Sequence, residues 1–328
     1  MVVSWHGKHV LVTGAGGFIG SHLTERLVRE GARVRALVRY TSTGSVGWLD
    51  QLPEDAVEFV KGDVIDRDCV SGAMQDVDVV FHLAALIGIP YSYSLPHAYA
   101  RVNIEGTLNV LQAAREQNVS RVVHTSTSEV YGTAQMVPIT ERHPLAAQSP
   151  YAATKIGADK LVESFHASFG LPVVTVRPFN TYGPRQSQRA IVPTIMAQCL
   201  TGHIVRLGNI HPTRDLNYVD NTVEGFLAAG IEEAAIGKTI NIGSGREIRI
   251  ADLVTLIADT VGRPVHIESS SDRVRSAASE VERLVADNRL AHELLQWEPR
   301  VSLEEGLART LVWMREHLNA YRPSHYVV

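Results

Sequence analysis

Cysteine is scarce in this chain of 328 residues. Cys69 and Cys199 stand far apart with no C-x-x-C spacing, which excludes a disulfide framework and a redox dithiol and points to a reduced, cytoplasmic setting. Long apolar runs are missing too: the first, Val10 to Val12, is short and leads into glycines, so neither a secretory leader nor a membrane span is read from it. An excess of charge of one sign is also absent. The 31 basic and 35 acidic side chains nearly cancel, leaving no electrostatic footprint for nucleic acid or an anionic membrane, so small molecules are the expected partners. The 14 histidines lack metal-ligand spacing; His292 and Glu293 begin like H-E-x-x-H, but Gln296 occupies the fifth position, and no metal is expected.

What is present is alternation of strand and helix patterns. Strands are predicted at 9–14, 33–38, 57–60, 78–84, 121–126, 172–178 and 238–243, with helices at 21–31, 102–117 and 151–170 between them. This order predicts an α/β fold, a Rossmann-type doubly wound parallel sheet with a smaller C-terminal substrate-binding lobe. The dinucleotide-binding domain is expected over 1–180, with returning segments near 214–243, and the lobe over 181–213 and 244–328. Past residue 180, Pro184, Pro193, Pro212 and several glycines interrupt the pattern, and two clear helices return at 250–261 and 302–318, the second opened by the capping box Ser302/Glu305.

TGAGGFIG (13–20) lies between a strand and a helix, the context in which Gly14 permits the tight turn, Gly17 admits a pyrophosphate and Gly20 allows close helix–strand packing. Phe18 and Ile19 of the same turn, Val64 beside Asp63, and Leu83, Ala84 and Ala85 of HLAAL complete the expected cofactor contacts. Asp63 suits an adenine-edge contact or is a solvated loop residue. The end of the second strand carries Val38 and Arg39 instead of the acid that binds the ribose of NAD; an arginine there can pair with a 2′-phosphate, which favours NADP with NAD possible. The alternative is an exposed Arg39 with Tyr40 covering adenine.

Tyr151 and Lys155 stand four apart on one helical face, and an ammonium beside a phenol stabilises its phenolate. This helix follows the strand that ends in HTSTSEVYG (124–132), where Thr125, Ser126, Thr127, Ser128 and Glu129 put polar side chains at the end of the sheet that meets ligands in such folds.

Together TGAGGFIG, HLAAL, TSTSEVYG, SPYAATK, RPFNTYGPRQ and TRDLNYVDNT resemble the extended short-chain dehydrogenase/reductases that modify nucleotide sugars, most closely the NAD(P)-dependent 4,6-dehydratases. The resemblance spans essentially the whole chain. It implies that Tyr151 removes the sugar O4 proton, Lys155 tunes the phenol and holds the nicotinamide ribose, Thr127 binds O4, and Glu129 removes the C5 proton once C4 is a ketone. Ser128 replaces the aspartate of the dTDP-glucose enzymes, so proton delivery to the leaving C6 hydroxyl runs through Ser128, Glu129 or water. The resemblance also implies that Asn180, Arg185, Arg214 and Arg275 bind the nucleotide sugar; Ser276 stands where a proline usually follows the last of these. A homodimer through helices 102–117 and 151–170 is expected on the same ground. The competing readings are a UDP-glucuronate decarboxylase, a 4-epimerase and a non-catalytic dinucleotide-sensing scaffold.

Overall fold

The computed structural model describes residues 4–53, 55–270, 273 and 276–322. Its strands are β1 (His9–Thr13), β2 (Arg33–Val38), β3 (Glu58–Lys61), β4 (Val79–His82), β5 (Arg121–Thr125), β6 (Val173–Pro178), β7 (Asn180–Tyr182), β8 (Ile204–Leu207), β9 (Thr213–Tyr218), β10 (Thr239–Ile242), β11 (Glu247–Arg249) and β12 (His266–Ser269). Its helices are α1 (Phe18–Arg29), α2 (Arg67–Ala73), α3 (Ile89–Ser94), α4 (Pro96–Tyr99), α5 (Gly106–Glu116), α6 (Pro150–Phe169), α7 (Ile191–Thr201), α8 (Val219–Ile231), α9 (Ile250–Val261), α10 (Arg289–Leu295) and α11 (Leu303–Glu316).

Seven strands form one parallel sheet in the order β10-β6-β5-β4-β1-β2-β3. The chain order reverses between β1 and β4, and the crevice at that switch point is where such sheets bind ligands. A parallel sheet covered on both faces needs apolar side chains on both, which explains the continuous β-branched runs in β1, β4 and β6. Val10 and Val12 enter one apolar cluster with Leu23, Leu27, Phe81 and Phe226, whereas Leu11 enters a second with Val80, Val110, Ala114 and Val162. The first cluster continues through Ile257, Leu307 and Met314, so the C-terminal helices share the sheet's own core.

Past residue 180 the structure is more regular than the sequence predicts. Pro193 does not break α7, because it lies in the first turn, where a missing N–H costs nothing. Gly225 and Gly230 do not break α8; they bring it against Ile242 and Phe81, closer than a side chain would allow. The return to the main sheet is made by α8 and β10, while β9 pairs with β7 and β11 in a separate three-stranded sheet. The predicted helix 102–117 is a regular helix only from Gly106; residues 100–105 form a π-helical segment in which Asn103 accepts from Leu86 N at 2.8 Å and donates to Leu86 O at 3.0 Å and Thr154 Oγ1 at 3.0 Å. Half of the Ser302/Glu305 capping box forms: Ser302 Oγ accepts from Glu305 N, but the Glu305 carboxylate pairs with Arg309 instead.

Candidate active site

The switch point opens into a cleft of about 950 Å³. One end is built from backbone. Gly14 turns with φ +71°, and a Cβ on Gly20 would lie 2.3 Å from Gly14 O, so helix and strand approach to a distance only glycine permits. Gly17 caps α1 without a side chain, leaving the first N–H groups of the helix for a ligand, the arrangement that receives a pyrophosphate. Every residue predicted to touch the dinucleotide lines this cleft: Gly14, Gly17, Phe18, Ile19, Gly20, Arg39, Asp63, Val64, Leu83, Ala84, Ala85, Tyr151 and Lys155. Volume, bare glycines and uncapped helix thus fit a dinucleotide. Arg39 is 80% exposed, with its Nε 3.8 Å from Asp63 Oδ2. Thr41, Ser45 and Arg101 also line the cleft. No sequence signal singled them out, because their approach depends on how the β2–β3 loop and the π-helical segment fold over.

The opposite end is built from side chains. β5 stops at Thr125, and Thr127, in extended backbone, caps the short 3₁₀ turn Ser128–Tyr131 by accepting from Glu129 N at 3.2 Å. Ser149 caps α6 through Ala152 N at 3.1 Å and Pro150 opens its first turn, so Tyr151 and Lys155 face the end of β5. Thr127, Ser128, Glu129, Tyr151 and Lys155 all line the cleft. Burial pushes the Tyr151 phenol well above its usual range; the Thr127 hydroxyl pulls it back and the Glu129 charge pushes it further up. Burial lowers Lys155 to about 8, opposed by Asp159, and its Nζ donates to Thr125 O at 2.6 Å.

Below these residues lies a polar floor that sequence reasoning missed. Asp159 accepts from Ser126 Oγ at 2.8 Å and Arg177 Nη2 at 2.8 Å, and lies 3.2 Å from His124 Nε2. Burial alone would raise its pKa, but the hydrogen bond to His124 and the charge and hydrogen bonds of Arg177 outweigh it and bring the carboxyl down to about 2. The available signal was Arg177, a charged residue within the strand VVTVRP, which a strand buried on both faces tolerates only with a counter-charge.

The match to known proteins covers this whole framework. Residues 11–310 fit the family model for GDP-mannose 4,6 dehydratase. The chain belongs to that family. It is 36% identical to a UDP-glucose 4-epimerase of Mycolicibacterium smegmatis over 93% of this chain and 98% of that one. It is 34% identical to a dTDP-glucose 4,6-dehydratase of Streptomyces antibioticus, over 96% and 95%. The structure of DesIV, a dTDP-glucose 4,6-dehydratase from Streptomyces venezuelae with NAD and TYD bound, superposes with a TM-score of 0.87 at 30% identity, covering 96% of this chain and 99% of that one.

Within this nucleotide-sugar dehydratase/epimerase family member, the four residues expected at the substrate fall in different places. Asn180 lines the cleft, and its Oδ1 is buried with no hydrogen-bond partner among the described residues. Arg185 does not line it: at φ +69° its guanidinium turns to α1, donating to Ser21 Oγ at 3.1 Å and Glu25 Oε1 at 2.8 Å. Arg214 does not line it either: it is buried and paired with Glu280 at 3.3 Å. Arg275 lies outside the described residues. Gln186 and Arg189, which the sequence did not single out, line the cleft instead, and Gln186 Oε1 is a second buried acceptor without a partner among the described residues. Among the described residues no group of three His, Cys, Asp or Glu is placed to hold a metal ion, and no helix is long and apolar enough to cross a membrane.

Proposed function

We propose that the protein is a nucleotide-sugar 4,6-dehydratase that converts a nucleotide-linked hexose or N-acetylhexosamine into its 4-keto-6-deoxy derivative. The observation that carries this reading is Glu129, a second acid–base group on the cleft wall two residues from Thr127 and close enough to Tyr151 to influence its phenol. Oxidation at C4 needs one base, and elimination across C5 and C6 needs another. Tyr151 takes the O4 proton while Thr127 holds O4, and the Lys155 ammonium lowers the cost of the phenolate. A nicotinamide held by the glycine turn and Lys155 would supply reversible hydride chemistry between C4 and C6, so that no net oxidant would be consumed. Glu129 removes the C5 proton, acidified by the new ketone. The C6 hydroxyl leaves as water with a proton from Ser128, Glu129 or solvent, and a proton from Glu129 or solvent returns to C5 when C6 is reduced.

Asn180 and Arg275 are assigned to the substrate, with 181–213 and 244–328 as the lobe that closes on it. Arg39 at the adenosine end supports NADP over NAD. Dinucleotide titration of Arg39→Ala should then show NADP affinity falling about tenfold, the worth of a charge-assisted hydrogen bond, with NAD little changed. A homodimer through α5 and α6 is proposed from the family resemblance.

A 4-epimerase is the second reading, favoured by the 36% identical mycobacterial relative. Product analysis separates the two. A dehydratase removes one water without added reductant, incorporates solvent deuterium at C5 and moves deuterium from C4 to C6; an epimerase gives an isomer with no C5 exchange, and a decarboxylase releases carbon dioxide from a hexuronate. Glu129→Gln should keep dinucleotide binding and lose turnover and C5 exchange by about 10²- to 10⁴-fold. Full activity in that variant overturns the assignment.

A further inference from the structure

Under the cleft, where α6 faces the sheet, lies a charge that the proposed reaction does not use. Asp159 is 1% exposed and sits one helical turn beyond Lys155 and two beyond Tyr151, on the same face. Its Oδ2 accepts from Ser126 Oγ, Arg177 Nη2 and, at 3.2 Å, Arg177 Nε, and its Oδ1 meets His124 Nε2. Arg177 also donates to the Tyr131 hydroxyl at 2.9 Å, which donates to Asn241 Oδ1 at 2.8 Å. One carboxylate thus joins α6 to the ends of β5 and β6 and, through Arg177, to the 3₁₀ turn that carries Glu129.

A buried ion of this kind is costly compared with an apolar or amide side chain of the same size, so stability alone does not account for it. Its surroundings suggest another reason. The titratable groups packed around Lys155 and Asp159 are His82 on β4, His124 on β5, Arg177 on β6, Glu129 on the turn after β5, and Tyr151 on α6 itself. Burial holds both histidines toward their neutral forms. Asp159 is the acid that acts on Lys155, whose only direct hydrogen bond among the described residues goes to the uncharged Thr125 carbonyl.

We propose that Asp159 is a positioning residue whose carboxylate is the counter-charge for the Lys155 ammonium and the tie that fixes the end of β5, with Thr127, Ser128 and Glu129, against α6. This rests on the reading of Tyr151 and Lys155 as the acid–base pair. Without the carboxylate, desolvation acts on Lys155 unopposed, and the ammonium loses its proton at a lower pH. The phenolate of Tyr151 then loses its cationic neighbour on the alkaline side of neutrality.

The test titrates Lys155 directly. The lysines of the chain are Lys8, Lys61, Lys155, Lys160 and Lys238, so lysine-selective isotope labelling gives a readable side-chain NMR spectrum, with Lys155→Arg assigning the signal. In Asp159→Asn the Lys155 midpoint should fall by about one pH unit, and Asp159→Glu should recover most of it. Asp159→Asn leaves Arg177 buried without a counter-ion; Asp159→Asn/Arg177→Gln removes both charges, should show a smaller fall because the repulsion of Arg177 is lost too, and covers failure of the single variant to fold. With a nucleotide sugar that is turned over, the basic limb of kcat should move down in step while KM stays put. An unchanged Lys155 midpoint in these variants overturns the proposal. A shifted midpoint in a protein that turns over no nucleotide sugar supports the counter-charge and refutes the dehydratase reading, so the two failures are distinct.

Discussion

The two ends of the cleft are built on opposite principles. At the glycine turn nearly everything offered to a ligand is backbone: a strand end, a turn that excludes Cβ atoms and an uncapped helix N-terminus. At the end of β5 everything offered is side chain, and each group depends on partners from other elements, Tyr151 on Thr127, Lys155 on Thr125 and Asp159, Asp159 on Arg177. A backbone site is local and its residues are spaced by geometry. A side-chain site is assembled across the sheet, and its chemistry depends on burial.

If that contrast holds, the two ends should fail differently. The largest effect belongs to the side-chain end: Tyr151→Phe should cut turnover by about 10²- to 10⁴-fold while dinucleotide affinity, measured by fluorescence titration, changes only a few-fold. At the backbone end Gly20→Ala forces a Cβ to within 2.3 Å of Gly14 O, so helix and turn must separate. The expected cost is about 1–3 kcal/mol in chemical denaturation, accompanied by weaker dinucleotide binding, because overpacking moves the backbone that forms the site. An active Gly20→Ala protein with wild-type affinity would mean that the turn tolerates side chains after all. The smallest effect is expected at Arg185, whose pairing with Glu25 ties the loop after β7 to α1 outside the cleft. Arg185→Ala should lose about 1 kcal/mol or less in stability, with KM for the sugar within a few-fold of wild type. A large rise in KM would instead return Arg185 to the substrate, as the family resemblance first implied.

The pH dependence of stability sharpens the same contrast, because Lys155 at the side-chain end contributes to it. Lys155 titrates near 8 when folded against 10.5 when free, so between those values the unfolded chain holds a proton that the folded one has released, and stability should rise with pH. Below about pH 8 both states carry that proton and the slope vanishes. Lys155→Met should flatten the rise in chemical denaturation between pH 8 and 10; an identical slope in that variant would show that the buried ammonium is not its source.

The sequence by itself determined the sheet, the glycine turn and the Tyr151/Lys155 and Thr127/Glu129 sets, since periodicity, turn residues and i,i+4 spacing are local properties written into neighbouring positions. The family resemblance pointed to Asn180, which lines the cleft. Only the tertiary structure decided that Arg185 turns to α1, that Arg214 is buried on Glu280, and that Gln186 and Arg189 enter the cleft instead. These are questions of direction, settled by a positive φ at one residue and by a partner 66 positions away. The same holds for the helices past residue 190, where Pro193 and the glycines of α8 read as breaks until their place in the first turn, or against the sheet, is known. The buried Asp159 was hidden for a related reason: a charge on a helix is assigned to solvent until the strand beneath it supplies an arginine.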